Sequence, residues 1–216
     1  MSFQRDRSDT LALDWARQIL NADSSACTFE HKAIALTPWS SVYAINTQGA
    51  LYYLKKTPHT FLQEADIILL LKKETRASLP HIIAKNRDLN CFLMADAGRP
   101  LHEILNKKNN ESLIRKTVAQ FARLQHESIA CIDLLFKLGV PDYRLNKIPA
   151  LYHQMLEERG FLAYFDVSQS DIQQLETMRN TVHKDCDTLS KYHINETLVQ
   201  PDFNTKNTLF NESTKK

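Results

Sequence analysis

Glycine is scarce in this chain: Gly49, Gly98, Gly139 and Gly160 are the only four in 216 residues, and they stand far apart. A phosphate-cradling G-x-x-x-x-G-K-[ST] loop and a dinucleotide G-x-G-x-x-G turn both need clustered glycines, so both are excluded. Cysteine is as thin. Cys27, Cys91, Cys131 and Cys186 show no C-x-x-C spacing and no nearby His pair, which argues against a disulfide framework or a zinc site. The longest aliphatic run, Ile67-Ile68-Leu69-Leu70-Leu71, is too short to span a bilayer, and the charged start Ser2-Phe3-Gln4-Arg5-Asp6-Arg7 lacks the apolar core of a signal peptide. Charge of one sign is also missing: 27 Lys and Arg against 25 Asp and Glu leave +2. Neither nucleic acid nor a membrane is expected as the main partner. The chain reads as reduced and cytoplasmic.

What is present is an ordinary globular composition, 43% apolar. A chain of this size buries roughly 70–75% of its unfolded surface. Leu11, Ala12, Trp15, Ala16, Ile19 and Leu20 form a helical stripe, with Ser8 or Asp9 available as its cap. Ser41–Ile45 and Ala50–Leu54 are strand-like and flank the turn chemistry of Asn46-Thr47-Gln48-Gly49, which predicts a β-hairpin. After Thr57-Pro58 an apolar-periodic helix runs through Phe61, Ala65, Ile68 and Leu69. Pro80 then opens an extended segment, and Cys91-Phe92-Leu93-Met94 has the pattern of a buried strand. Beyond Gly98 and Pro100 the texture is helical, over Leu113–Leu124, Ile148–Glu158 and Ile172–His193, with Gly160 as a helix stop. The chain therefore reads as α+β: a mainly β part with one internal helix, then a mainly α part. Trp15 and Trp39 are expected to pack, and His126 to be structural. His81, His102 and His183 have no partner at metal-ligand spacing.

Two residue sets could carry chemistry. Glu64 shares a helix face with Ile68 and Leu71, so it points at least partly inward, where a carboxylate needs a cation. Lys55 closes the hairpin nine residues earlier. A strand Lys paired to a helix Glu is how an ammonium is aimed at nucleotide phosphates, although a solvent-edge Glu64 and a surface lysine remain open at this point. The second set is Gln200-Pro201-Asp202-Phe203-Asn204-Thr205-Lys206-Asn207, in which Asp202 and Asn207 stand five apart. That spacing lets an Asp accept a hydroxyl proton while an Asn holds Mg²⁺; a capped turn has the same spacing.

In their order along the chain these segments resemble the aminoglycoside phosphotransferase-like family of small-molecule kinases. Ser40–Ile45 with Leu54-Lys55 is similar to its nucleotide-covering hairpin and Lys strand. Phe92-Leu93-Met94-Ala95-Asp96-Ala97-Gly98 is similar to its hinge, and Leu138–Leu145 to its "GxPDxRL" segment. Leu198–Phe203 with Asn207 is similar to its catalytic loop. The resemblance implies a protein-kinase-like two-lobed fold. Its β-rich N-lobe would span residues 1–96, with a hinge at 94–98, and its helical C-lobe 97–216, with a catalytic loop at 200–207.

It further implies ATP and Mg²⁺ as cofactors and a hydroxyl of a small polar molecule as acceptor. Lys55 would contact phosphates and Glu64 would hold it. Met94, Ala95 and Asp96 would present backbone groups to adenine, Asp202 would act as base, and Asn207 would bind metal. Two departures stand out. Gln200-Pro201 replaces the family's His-Gly, and Pro lacks both the angles of Gly and an N–H. No second metal-binding Asp follows Asn207 before Lys216, so Thr208-Leu209-Phe210 resembles the first arm of a hairpin left unpaired in a C-terminally incomplete lobe. Slow transfer, or an inactive nucleotide-binding or interaction module with the same fold, is the expectation that follows; a plain helical scaffold is the third reading.

Overall fold

The two hydrophobic periods of the sequence become a mixed α+β structure. The computed structural model describes residues 2–22, 28–61, 63–107 and 110–212; Cys27 and residues 213–216 lie outside them. The chain forms two units, Met1–Leu138 together with Leu198–Lys216, and Gly139–Thr197.

The first unit begins with helix α1 (Ser2–Ile19) and strands β1 (Phe29–Thr37), β2 (Ser40–Thr47) and β3 (Ala50–Lys56). Helix α2 (Glu64–Glu74), strands β4 (Ile82–Asn86) and β5 (Cys91–Ala95), and the short strand β6 (Arg99–Pro100) follow. Helices α3 (Leu101–Leu105), α4 (Glu111–Ser128) and α5 (Ile132–Lys137) come next, and β7 (Leu209–Phe210) returns from the C-terminal segment. Strands β1 to β5 make one antiparallel sheet in the order β1-β2-β3-β5-β4. Gln48 and Gly49 both take positive φ, 52° and 74°. This is the two-residue turn whose twist matches a β-hairpin, and it places Val42 opposite Lys55.

Each face of the sheet buries a different helix. Ala12 and Ala16 of α1, both almost wholly buried, pack on Ile45, Leu54, Cys91 and Leu93. Small side chains one helical turn apart let the helix axis approach the strands. On the other face Ala65 and Ile68 of α2 meet Ile82, Phe92 and Met94. Burial of side chains such as Leu54 and Leu93, each 0% exposed, is worth about 1.5–3 kcal/mol apiece. Strand β3 is central and contributes to both faces by its period-two alternation.

The second unit holds α6 (Ile148–Glu157), α7 (Arg159–Tyr164), α8 (Gln169–Thr177) and α9 (Arg179–Ser190) around Leu156, Leu162, Ile172 and Cys186. Tyr152 donates its hydroxyl to the Leu175 carbonyl at 2.7 Å, and Arg159 pairs with Glu176 at 2.7 Å. Among the described residues, no helix of the chain is long and apolar enough to cross a membrane.

Several sequence expectations are corrected. Helix α1 starts at Ser2, so Asp9 lies within it and is no cap; the polar first turn gives periodicity nothing to detect. Strand β1 begins at Phe29, in a stretch whose charged residues hide a two-residue period. Trp39 sits exposed in the β1–β2 turn and does not pack. Gly160 lies inside α7; the break falls at Glu158, whose ψ of 66° leaves the helical region. The long helix expected over Ile172–His193 is divided at Met178 into α8 and α9. Leu209–Phe210 is not left unpaired: it pairs antiparallel with Arg99–Pro100.

That last pairing depends on Gly98. Its φ is +106°, and a Cβ there would stand 2.4 Å from the Phe210 carbonyl oxygen. Replacing it by alanine is expected to cost about 1–3 kcal/mol for the strained backbone, with the clash against Phe210 in addition. Thermal unfolding of Gly98→Ala at the wild-type temperature would show that the close approach contributes nothing.

Candidate functional site

The residues singled out from sequence fall into three groups in the first unit. The first lies where β3 hands over to α2. Strand β3 ends at Lys56; a turn through Thr57-Pro58 and a single 3₁₀ turn at His59–Phe61 then bring Glu64 back as the first residue of α2. The Lys55 ammonium donates to Glu64 Oε1 at 2.6 Å. Acidic residues in a first helical turn also interact favourably with the helix dipole, and α2 carries both Glu64 and Asp66 there. The pair is partly covered, with 26% of the Lys55 side chain and 35% of Glu64 exposed. Its ammonium therefore remains within reach of a ligand anion.

Neighbours complete this corner. Tyr53 precedes Lys55 by two residues, so it lies on the same face of the sheet, opposite Met94. Burial, with the negative charges of Asp96 and Glu103 behind it, raises the Tyr53 phenol above its ordinary pKa. Asp66 binds Lys85 and Arg87 of the β4 end, the latter at 2.9 Å. Burial pushes the Asp66 carboxyl up, but hydrogen bonds and charge from Lys85 and Arg87 outweigh it and hold the carboxyl below its usual value.

On the opposite face Lys56 points to Asp9 of α1, Nζ to Oδ1 3.5 Å, and Tyr43 donates its hydroxyl to Asp9 Oδ2 at 2.9 Å. Cys91, opposite Lys56 in the register, has its thiol pushed up to about 12 by burial and is chemically quiet.

The second group is the segment Met94 to Gly98. Met94 and Ala95 close β5, where Met94 pairs with Tyr53 and Ile82. The Ala95 N–H donates to the His81 carbonyl at 2.9 Å, and the Asp96 N–H to Leu51 at 3.2 Å. Neither is free to donate to a base without first giving up that bond. The Asp96 carboxylate accepts from the Gly98 N–H at 2.9 Å and shapes the turn into β6.

The third group is the loop 200–207. Asn207 Nδ2 donates to Asp202 Oδ2 at 2.6 Å, and Asn204 Nδ2 to Oδ1 at 2.6 Å. Asn204 Oδ1 in turn accepts the backbone N–H groups of Lys206 and Asn207. Gln200 Oε1 accepts from the Asp202 N–H at 3.3 Å, a local bond within the loop.

The loop is fastened to its unit at both ends. Leu198 N–H donates to the wholly buried Ser128 hydroxyl at 2.9 Å, and Phe203 stacks on Phe121 with centroids 4.1 Å apart. Leu101 and His102 donate their N–H groups to Thr208 and Thr205.

Lys55 is thus brought to Glu64, and Asp202 to Asn207; among the described residues no hydrogen bond or ion pair joins the two pairs. Asp202 and Asn207 carry side-chain oxygens of the kind Mg²⁺ takes. Among the described residues no group of three or more His, Cys, Asp or Glu is placed to hold a metal. The sequence offered Asp9 only as a helix cap and gave no role to Asp66 or Asn204. An Asp in an otherwise apolar helix stripe was the one signal available for Asp9. Asp66 and Asn204 depend on partners about twenty and two residues away, which no periodicity marks. No protein-family model matches the chain, and no curated protein matches it significantly.

Asp66 generates a pH prediction. Because its folded pKa lies below the ordinary 3.8, its contribution is complete above that value and is lost as pH falls through the depressed folded one. Asp66→Asn should lower neutral-pH stability by about 1 kcal/mol and flatten the loss of stability below about pH 4. Acid titrations of the two proteins that run parallel below that pH would refute the assignment.

Proposed function

We propose that the chain is a small-molecule kinase of the aminoglycoside phosphotransferase-like kind, with a kinase-like two-lobed fold, transferring the γ-phosphoryl group of ATP to a hydroxyl of a small polar acceptor. The observation that carries this reading is the Lys55–Glu64 ion pair at 2.6 Å. A partly exposed ammonium, aimed by a carboxylate from a neighbouring helix, suits the α and β phosphates of a nucleotide. The ring of Tyr53 on the same face, and the Met94–Asp96 segment beside it, would meet the base.

Support of a second kind comes from the loop. Both carboxylate oxygens of Asp202 accept from asparagine amides, which holds its plane in one orientation. An acceptor hydroxyl would give its proton to Asp202 as its oxygen forms the new P–O bond. The bond between the γ-phosphorus and the β-γ bridging oxygen would break, and ADP would leave. Asn207 would hold Mg²⁺ through its amide oxygen, and the ion would supply charge neutralisation at the transferring phosphate. In-line transfer needs positioning and charge neutralisation more than covalent chemistry, and these residues supply the former.

The same two hydrogen bonds favour a second reading. A carboxylate with both oxygens engaged by asparagine amides, where no three or more His, Cys, Asp or Glu among the described residues are grouped to hold a metal, suits a nucleotide-binding module that does not transfer.

Calorimetry with ATP and Mg²⁺ tests both. Lys55→Met should weaken ATP binding at least about tenfold, or 1.4 kcal/mol. Asp202→Ala should leave ATP binding within about twofold while abolishing transfer to a panel of amino alcohols and sugars. Heat of binding without transfer by the wild type selects the second reading. No heat and no thermal shift with ATP would remove both.

A further inference from the structure

We infer that Asp9 is a positioning residue for Lys55, acting through Lys56 from the opposite face of the sheet. The inference rests on Lys55 being the phosphate-binding cation of the proposed function, and it adds a part that the sequence resemblance does not contain.

Asp9 is an unusual residue for its place. It sits in the middle of α1 with 5% of its surface exposed. One oxygen accepts from the Tyr43 hydroxyl at 2.9 Å; the other is 3.5 Å from the Lys56 ammonium and has no hydrogen-bond partner among the described residues. A buried carboxylate with one good hydrogen bond adds little to stability, because desolvation offsets most of its attraction to the cation. What such a pair does well is give direction. It requires Lys56, whose side chain is 19% exposed, to stay on the α1 face.

The alternation of a strand does the rest. Lys55 and Lys56 are successive residues, so fixing one to the α1 face fixes the other to the α2 face, where Glu64 waits. Lys56 is also the last residue of β3, paired with Ser41 and Cys91, and strand ends are the first part of a ladder to open. Without the Asp9 charge, Lys56 would be a mostly covered cation lacking an anion on its own face. Turning the strand end would relieve it, and would bring Lys56 towards Glu64 in competition with Lys55. Asp9 thus reserves Glu64 for Lys55.

Asp9→Asn tests this, since it keeps the shape and an acceptor for Tyr43 and replaces the oxygen facing Lys56 by an uncharged amide NH2. With the full chain and ATP·Mg²⁺ in a calorimeter, the variant should bind roughly threefold or more weakly. Adding Lys56→Met to Asp9→Asn should restore binding to within about twofold of wild type, because no unpaired cation is left to turn the strand. A purely structural role would make affinity follow melting temperature through all variants and would show no such rescue.

Unchanged affinity in Asp9→Asn, or no rescue in the double variant, overturns the inference while leaving the Lys55 reading intact. ATP binding that is absent in the wild type, or indifferent to Lys55→Met, removes that reading and this one with it. If Asp9→Asn does not fold, Tyr43→Phe decides in its place: it deletes only the hydroxyl that aims the carboxylate, and unchanged ATP affinity there also overturns the inference.

Discussion

Strand β3 has a neighbour on either side and a helix on either face, so the alternation of its seven residues governs what the first unit can do. Leu54 is wholly buried against α1 and sets the register. Once Leu54 faces α1, Tyr53 and Lys55 face α2 wherever the pleat is kept, and Lys56, the last residue of the strand, faces α1 beside Asp9. A slip of one residue would expose Leu54 and bury the wrong lysine, a change no single ion pair could offset. Hydrophobic burial therefore places the charges, and the charges aim the side chains within that placement.

A second constraint ties the C-terminal segment to this frame. The chain leaves β5, turns at Gly98, and at once meets Phe210 returning along β6. Backbone bonds from Leu101 and His102 reach Thr208 and Thr205, and the end of α4 holds Leu198 through Ser128 and Gln125. These bonds satisfy groups that an irregular loop would otherwise leave to water. The exposed loop is thereby given fixed ends. Its internal asparagine bonds then define the position of Asp202 relative to Asn207.

How far this was legible from sequence depends on whether the cause was local. The β2–β3 hairpin was legible because Gln48-Gly49 sits between two period-two runs, and the Lys55–Glu64 pair because a short turn and an inward helix face leave few other partners. Asp202 and Asn207 were legible as a spacing, though not as a mutual hydrogen bond. Strand β1 was hidden because Glu30, His31 and Lys32 interrupt its apolar pattern on an edge strand, where packing demands little. The role of Asp9 was hidden because Tyr43 and Lys56 are 34 and 47 residues away in sequence. Met178 breaks its helix without Pro or Gly, so composition offered no stop signal there, whereas the break at Glu158 was legible from Gly160 two residues on.

Accessibility separates the two lysines that sequence alone makes equivalent. Both sit at the end of one strand and both face a carboxylate, yet the Glu64 side chain is 35% exposed and that of Asp9 only 7%. A ligand anion can approach Lys55 from solvent and share it with Glu64, because much of the ion pair is still hydrated and its net worth is small. The same anion at Lys56 would have to displace Asp9 from beneath α1, uncovering Ala12 and Ala16 and leaving a carboxylate buried without a cation. Of two chemically identical ammonium groups, the one whose carboxylate partner is the more exposed is the one an anion can reach. The other holds the strand so that it can.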